Sequence, residues 1–136
     1  MARKPKAIVL DSWSVLAYFE DEPAGEAVGE IIADAYENGI GLLMSLVNVG
    51  EVWYIVARQT SEKEADACID QLRQLGITFA DVDWKLARQA ALFKSKHKMS
   101  FADCFAAAAA KEHNAELLTG DKEFHAVAKE IKINWL

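Results

Sequence analysis

Short apolar runs alternate with helical stretches along this chain, and that alternation narrows its fold more than any other feature. Ala7–Leu10, residues 42–44, Ile77–Ala80 and Glu116–Thr119 are brief and show little one-sided polarity. Runs of this kind suit strands buried on both faces of a parallel sheet. Between them lies enough chain for a helical crossover each time, as parallel pairing requires. Helices are expected over residues 14–20, 24–38, 46–58, 61–75, 83–96 and 100–114, with a short one over 123–129 leading to an edge strand at 131–133. Their ends carry recognisable signals: Ser61 with Glu64 and Ser100 with Asp103 have capping-box spacing, Asp83 can cap, and Gly39 and Gly76 follow helical stretches. The expected fold class is α/β, three layers with a central parallel sheet of about five strands flanked by helices.

The 136 residues are the usual size of one domain, so residues 1–136 are read as a single unit. With 52% hydrophobic residues the chain can bury a core, which excludes a disordered protein. The net charge of −6 excludes a protein that coats nucleic acid with a positive surface, though not an enzyme that meets it at one local site. The most apolar stretch, residues 40–49, is interrupted by Gly41, Ser45 and Asn48 and falls well short of the about 18 residues of a membrane helix. The basic start leads into a run that ends in a charge at Asp11, unlike a signal peptide, so the expected location is the cytoplasm. Cys68 and Cys104 are too few and too far apart for a zinc site and are read as free thiols on helices.

In an open parallel sheet, ligands bind beyond the carboxyl ends of the strands. Asp11 follows the first apolar run and Asp121 the fourth; Asp103 opens the alanine-rich helix; Glu51 lies inside the helix after the second run. Each has a plain structural alternative: Asp11 as a cap, Asp103 as half of a capping box, Asp121 as a turn residue. Glu51, among Val49, Val52 and Trp53, is hardest to explain that way, because a carboxylate in apolar surroundings needs a partner or a cation. Four acids brought to one sheet edge would repel one another and call for a cation.

Val9-Leu-Asp11-Ser12, Asn48-Val-Gly-Glu51-Val, Ser100-Phe-Ala-Asp103 and Leu118-Thr-Gly-Asp121-Lys-Glu-Phe124 together resemble the PIN domain, and within it the VapC-like toxin ribonucleases of toxin–antitoxin pairs. The resemblance runs through nearly the whole chain in order. It implies a metal-dependent endoribonuclease in which Asp11, Glu51, Asp103 and Asp121 hold Mg²⁺ or Mn²⁺, Asp11 and Asp103 foremost. Ser12 and Thr119 occupy the family's small and hydroxyl positions beside these acids. The resemblance further implies an RNA substrate of the tRNA or rRNA class, a homodimer, and a VapB-like antitoxin whose tail places a basic residue near the acids. Trp13 departs from the pattern, being bulkier than the residue expected after Asp11-Ser12.

Other chemistries lack their residues. His97, His113 and His125 have no metal-ligand spacing, no serine sits in a Gly-x-Ser-x-Gly elbow, and no glycine-rich loop forms a phosphate cradle. A receiver domain would need paired acids after the first strand, and a haloacid-dehalogenase phosphatase a second Asp where Trp13 stands. A PIN-fold module that binds RNA or protein without cutting is the remaining alternative, against which the four acids count. From Asp83 to Asp103 the chain has basic residues and no intervening acid, so Lys94, Lys96 and Lys98 are candidate RNA contacts. From Glu20 to Asn38 there are seven acids and no Lys or Arg, a surface suited to a basic peptide. The helix over 46–58 is apolar nearly all round, with Trp53 and Tyr54 as candidate interface anchors.

Overall fold

The computed structural model describes residues 4–136; the basic start at residues 1–3 lies outside them. The elements in order are β1 (Ala7–Leu10), α1 (Ser12–Phe19), α2 (Pro23–Asn38), β2 (Gly41–Ser45), α3 (Leu46–Gln59), α4 (Glu62–Gln74), β3 (Ile77–Ala80), α5 (Trp84–Lys96), α6 (Phe101–Glu112), β4 (Glu116–Thr119), a 3₁₀ helix (Lys122–Val127) and β5 (Lys132–Trp135). All strand pairings are parallel, in the order β3-β2-β1-β4-β5, with β3 and β5 at the edges. The three-layer α/β fold with five parallel strands is thus present.

The strands alternate their side chains between two cores, as pleating requires. Ile8, Leu10, Leu42, Met44 and Leu118 join the core covered by α1 to α4, whereas Val9 and Leu117 join the one under α5, α6 and the 3₁₀ helix. In α6 every residue from Cys104 to Ala110 is buried. Its alanines therefore do more than favour helix: their small side chains let α6 lie close to both the sheet and α5.

Strand order positions the site. β1 pairs with β2 on one side and with β4 on the other, in the register Leu10↔Leu118. The chain leaves β1 towards β2 and β3, then returns across it to β4, so the β1–β4 boundary is the topological switch point, where a crevice opens beyond the strand ends.

Local differences from the sequence reading have local causes. Helix α1 begins at Ser12 rather than residue 14, because the Asp11 carboxylate caps it by accepting the Ser14 N–H at 2.9 Å. The short helix near 123–129 is a 3₁₀ turn, tightened by Asp121, which accepts the Glu123 N–H at 2.9 Å. Helix α3 is covered within its own chain: Val49, Val52 and Val56 are buried, and the Trp53 indole donates to Asp66 of α4 at 2.9 Å. Trp53 is therefore engaged internally, while Tyr54 stays exposed under the Arg58 guanidinium. Cys68 and Cys104 are free thiols on helices, as expected. Among the described residues no helix is long and apolar enough to cross a membrane.

Candidate functional site

Asp11, the N-cap of α1, lies at the end of β1 and is only 1% exposed. One oxygen accepts the Ser14 N–H; the other accepts the Thr119 hydroxyl at 2.5 Å. Thr119, at the end of β4, in turn accepts the Asp121 N–H at 3.0 Å. Because that amide can only donate, the hydroxyl proton is left to point at Asp11, which suits the ionised carboxylate. Burial pushes the Asp11 pKa up to about 6; the Thr119 and Ser14 hydrogen bonds pull it down, and the nearby charge of Asp121 raises it.

Asp103 sits in the first turn of α6, 6% exposed. Its N–H is capped by the Ser100 hydroxyl at 3.1 Å, so the capping half of the plain reading holds. Its carboxylate, however, faces other acids. Asp103, Asp121 and Glu123 each offer an oxygen within 4.8 Å of one another. Burial first, then a hydrogen bond shared with Glu123, then the charges of Asp121, Asp11 and Glu123, push the Asp103 pKa to about 8. At neutral pH these influences favour the protonated form of Asp103.

Glu51, half-buried on α3, accepts the hydroxyl proton of Ser12, which ties it to the residue after Asp11. One turn earlier on α3, the fully buried Asn48 donates to the Ala102 carbonyl at 3.0 Å, next to Asp103. That bond fixes the first turn of α6 against α3; the Asn48 side-chain oxygen is buried with no partner among the described residues.

The four acids named from the sequence therefore divide. Asp103 and Asp121 meet directly, Asp11 adjoins them through Thr119, and Glu51 joins at the Ser12 end. Ser12 and Thr119 spend their hydroxyl protons on carboxylates, which makes them positioning residues for the acids. Two residues were missed. Glu123 was legible only as an acid two places after Asp121, a spacing that means little until the 3₁₀ turn folds it back. Asn48 stood within the quoted segment, but its tie to Ala102 spans 54 positions. The basic stretch is not drawn onto the acids. Lys94 donates to the Met99 carbonyl at 2.5 Å, Lys85 pairs with Glu112 at 3.8 Å, and Lys96 and Lys98 are exposed.

No Lys, Arg or His among the described residues pairs with Asp11, Glu51, Asp103, Asp121 or Glu123. The donors are all oxygens, no cationic side chain among the described residues balances them, and burial raises the pKa of both Asp11 and Asp103. This donor set fits a hard divalent cation such as Mg²⁺ or Mn²⁺.

A parallel sheet with buried acids gathered beyond its switch point defines an α/β protein with an acidic site at its strand ends. The chain belongs to the PIN domain family, whose profile matches residues 8–130. Its fold is shared with solved toxin–antitoxin structures. The VapBC2 structure from Rickettsia felis, bound to a DNA fragment from its promoter, superposes with TM-score 0.78 at 14% identity over 94% of this chain and 97% of that one. VapC20 of Mycobacterium tuberculosis, described as a sarcin–ricin loop cleaving toxin, gives 0.70 at 18% identity over 91% and 95%. DNA-bound VapBC from Salmonella typhimurium gives 0.74 at 14% over 94% and 96%. A search of curated protein sequences returns no match.

Proposed function

We propose that the chain is a metal-dependent endoribonuclease, the toxin of a VapBC-type pair, that hydrolyses RNA phosphodiester bonds with water. The observation that carries this reading is the convergence of Asp11, Asp103, Asp121 and Glu123, unpaired with any cationic side chain among the described residues, beyond the β1–β4 crevice of a PIN domain. A bound Mg²⁺ or Mn²⁺ would make its water a better nucleophile and offset charge on the phosphate. Asp103, Asp121 and Glu123 would hold the cation, with Asp11 and Glu51 directly or through water.

The chain's own groups supply the rest. Thr119 and Ser14 hold Asp11 in one orientation, and Ser12 holds Glu51. To hold a cation, Asp103 would have to give up the proton that its raised pKa favours. In the reaction, water oxygen bonds to phosphorus, the bond to O3′ breaks, and the products are a 5′-phosphate and a 3′-hydroxyl. The alternative route through the RNA 2′-hydroxyl lacks its base: His97 is bonded to Glu130, His125 stacks on Trp135, and His113 ends α6.

The proposed substrate is a tRNA or rRNA, with Lys94, Lys96 and Lys98 adding affinity. The proposed assembly is a cytoplasmic homodimer held by a VapB-like antitoxin, and in favour of the antitoxin stand VapBC complexes among the chain's structural relatives.

The test is incubation of purified protein with total RNA in Mg²⁺, in Mn²⁺ and in excess chelator, followed by mapping of the new ends. Discrete 5′-phosphate ends that vanish with chelator are expected. Cyclic 2′,3′-phosphate ends, or undiminished cutting in chelator, would overturn the reading.

Thr119→Val tests the positioning of Asp11. It removes the hydroxyl between Asp11 and Asp121 while keeping the shape. The Asp11 pKa should rise further, and Mn²⁺ affinity, read by calorimetry, should fall roughly 10- to 100-fold. Unchanged affinity would mean that Asp11 needs no orientation.

A further inference from the structure

Trp13, read from the sequence as bulkier than the residue expected after Asp11-Ser12, has a specific seat in the structure. It lies in the first turn of α1, two residues after Asp11. The outer edge of its six-membered ring lies against Gly120: a β-carbon there would come within 2.3, 2.5 and 2.7 Å of Cη2, Cζ3 and Cζ2. Gly120 stands between Thr119, which holds Asp11, and Asp121. The indole therefore lies over the turn that joins the two acids, and a β-carbon at Gly120 would force it to shift.

That seat does not make Trp13 a core residue. It is half-buried and belongs to neither hydrophobic core. Its indole N–H donates to no group among the described residues, unlike that of Trp53, which is bonded to Asp66. An aromatic ring that rests on Gly120 and is partly exposed beside an acidic site has the character of a stacking platform. An RNA whose phosphate sits at the acids brings its adjoining bases within one nucleotide's reach of the indole. An unpaired base can stack there whatever its identity, because every base has a π-face.

Resting on the nuclease reading of the same site, we propose that Trp13 is a substrate-positioning residue on which an unpaired base beside the scissile phosphate stacks. It would confine the site to single-stranded segments such as loops, since a base within a duplex is already stacked.

The test reads binding rather than cleavage. A short single-stranded RNA of mixed sequence is compared with a ribose-phosphate polymer of the same length that carries no bases, in Ca²⁺ so that the acids are balanced. Wild type should prefer the RNA by about tenfold. Trp13→Leu, which keeps an apolar group against Gly120, should lose that preference through weaker RNA binding; Trp13→Phe should retain most of it. Thermal unfolding confirms that both variants are folded, and Trp13→Phe keeps the test decisive if the leucine variant is not. A preference that survives in Trp13→Leu, one lost equally in Trp13→Phe, or none in wild type overturns the proposal. RNA end mapping in Mg²⁺ is run alongside. Cleavage without a Trp13-dependent preference defeats only this inference, and the preference without cleavage defeats only the nuclease reading.

Discussion

Asp103→Asn is expected to abolish RNA cleavage and, in the same molecule, to stabilise the cation-free protein at neutral pH. The first effect follows from removing one of three carboxylates whose oxygens lie within 4.8 Å of one another. Losing a ligand should cost more than the roughly 10- to 100-fold typical of residues that merely orient ligands. The second effect follows from the pKa of about 8, raised first by burial and then by the shared hydrogen bond with Glu123 and the neighbouring charges. A carboxyl whose pKa is higher folded than unfolded binds its proton more tightly in the native state. Stability then falls as pH rises from about 4, the unfolded value, to about 8, and levels off above that. The slope cannot exceed about 1.4 kcal/mol per pH unit for one proton. Thermal unfolding of wild type and variant from pH 5 to pH 8, in chelator, reads the difference directly. The variant should gain on wild type as pH rises, and added Mn²⁺ should help wild type more. Cleavage at the wild-type rate by a folded Asp103→Asn protein, or identical pH curves, would refute the assignment of Asp103 to the centre of the cluster.

The largest loss of stability is expected from Gly25→Ala, a change that looks harmless in sequence because alanine is the better helix former. Gly25 lies in the first turn of α2, where the helix passes the end of α1. A β-carbon there would fall 2.3 Å from the Ala17 carbonyl oxygen, 3.0 Å from its carbon and 3.1 Å from the Tyr18 Cα. These are backbone atoms, which no rotamer change can move aside. The α1–α2 pair must separate, and α1 packs into the core through Val15 and Ala17. Overpacking of this kind costs about 1–3 kcal/mol and occasionally more. At about 2–8 °C per kcal/mol, the melting temperature should fall by roughly 2–24 °C. Since α1 also carries Ser12 and Trp13, activity should fall further than the folded fraction alone accounts for. A Gly25→Ala protein as stable as wild type would mean that α2 can withdraw from α1 freely.

The two effects draw on different kinds of information. The strands were readable because a buried parallel strand leaves a local mark, a short run apolar on both faces; Ile77–Ala80 and Glu116–Thr119 coincide with β3 and β4. Helix starts were readable for a similar reason. Asp83, Ser61 and Ser100 cap N–H groups three residues ahead, an interaction contained within four positions of sequence. The Asp11, Glu51, Asp103 and Asp121 segments together resembled the PIN domain, and the family match bears out that resemblance.

What no local signal carries is which strand lies beside which. Asp11 and Thr119 are 108 positions apart and share a hydrogen bond only because the chain crosses back over β1 to lay down β4. The same crossing seats Trp13 on Gly120 and turns an oversized side chain into part of the site's rim. The 3₁₀ turn brings Glu123 to Asp103, and α4 takes up the Trp53 that α3 alone left unexplained. Sequence by itself determined the elements and the acids, because periodicity, capping and residue chemistry act within a few positions. Tertiary structure alone decided which acids meet, which carboxyl pKa values are raised and which glycine must stay bare, because burial, charge repulsion and close approach depend on distances between segments remote in the chain.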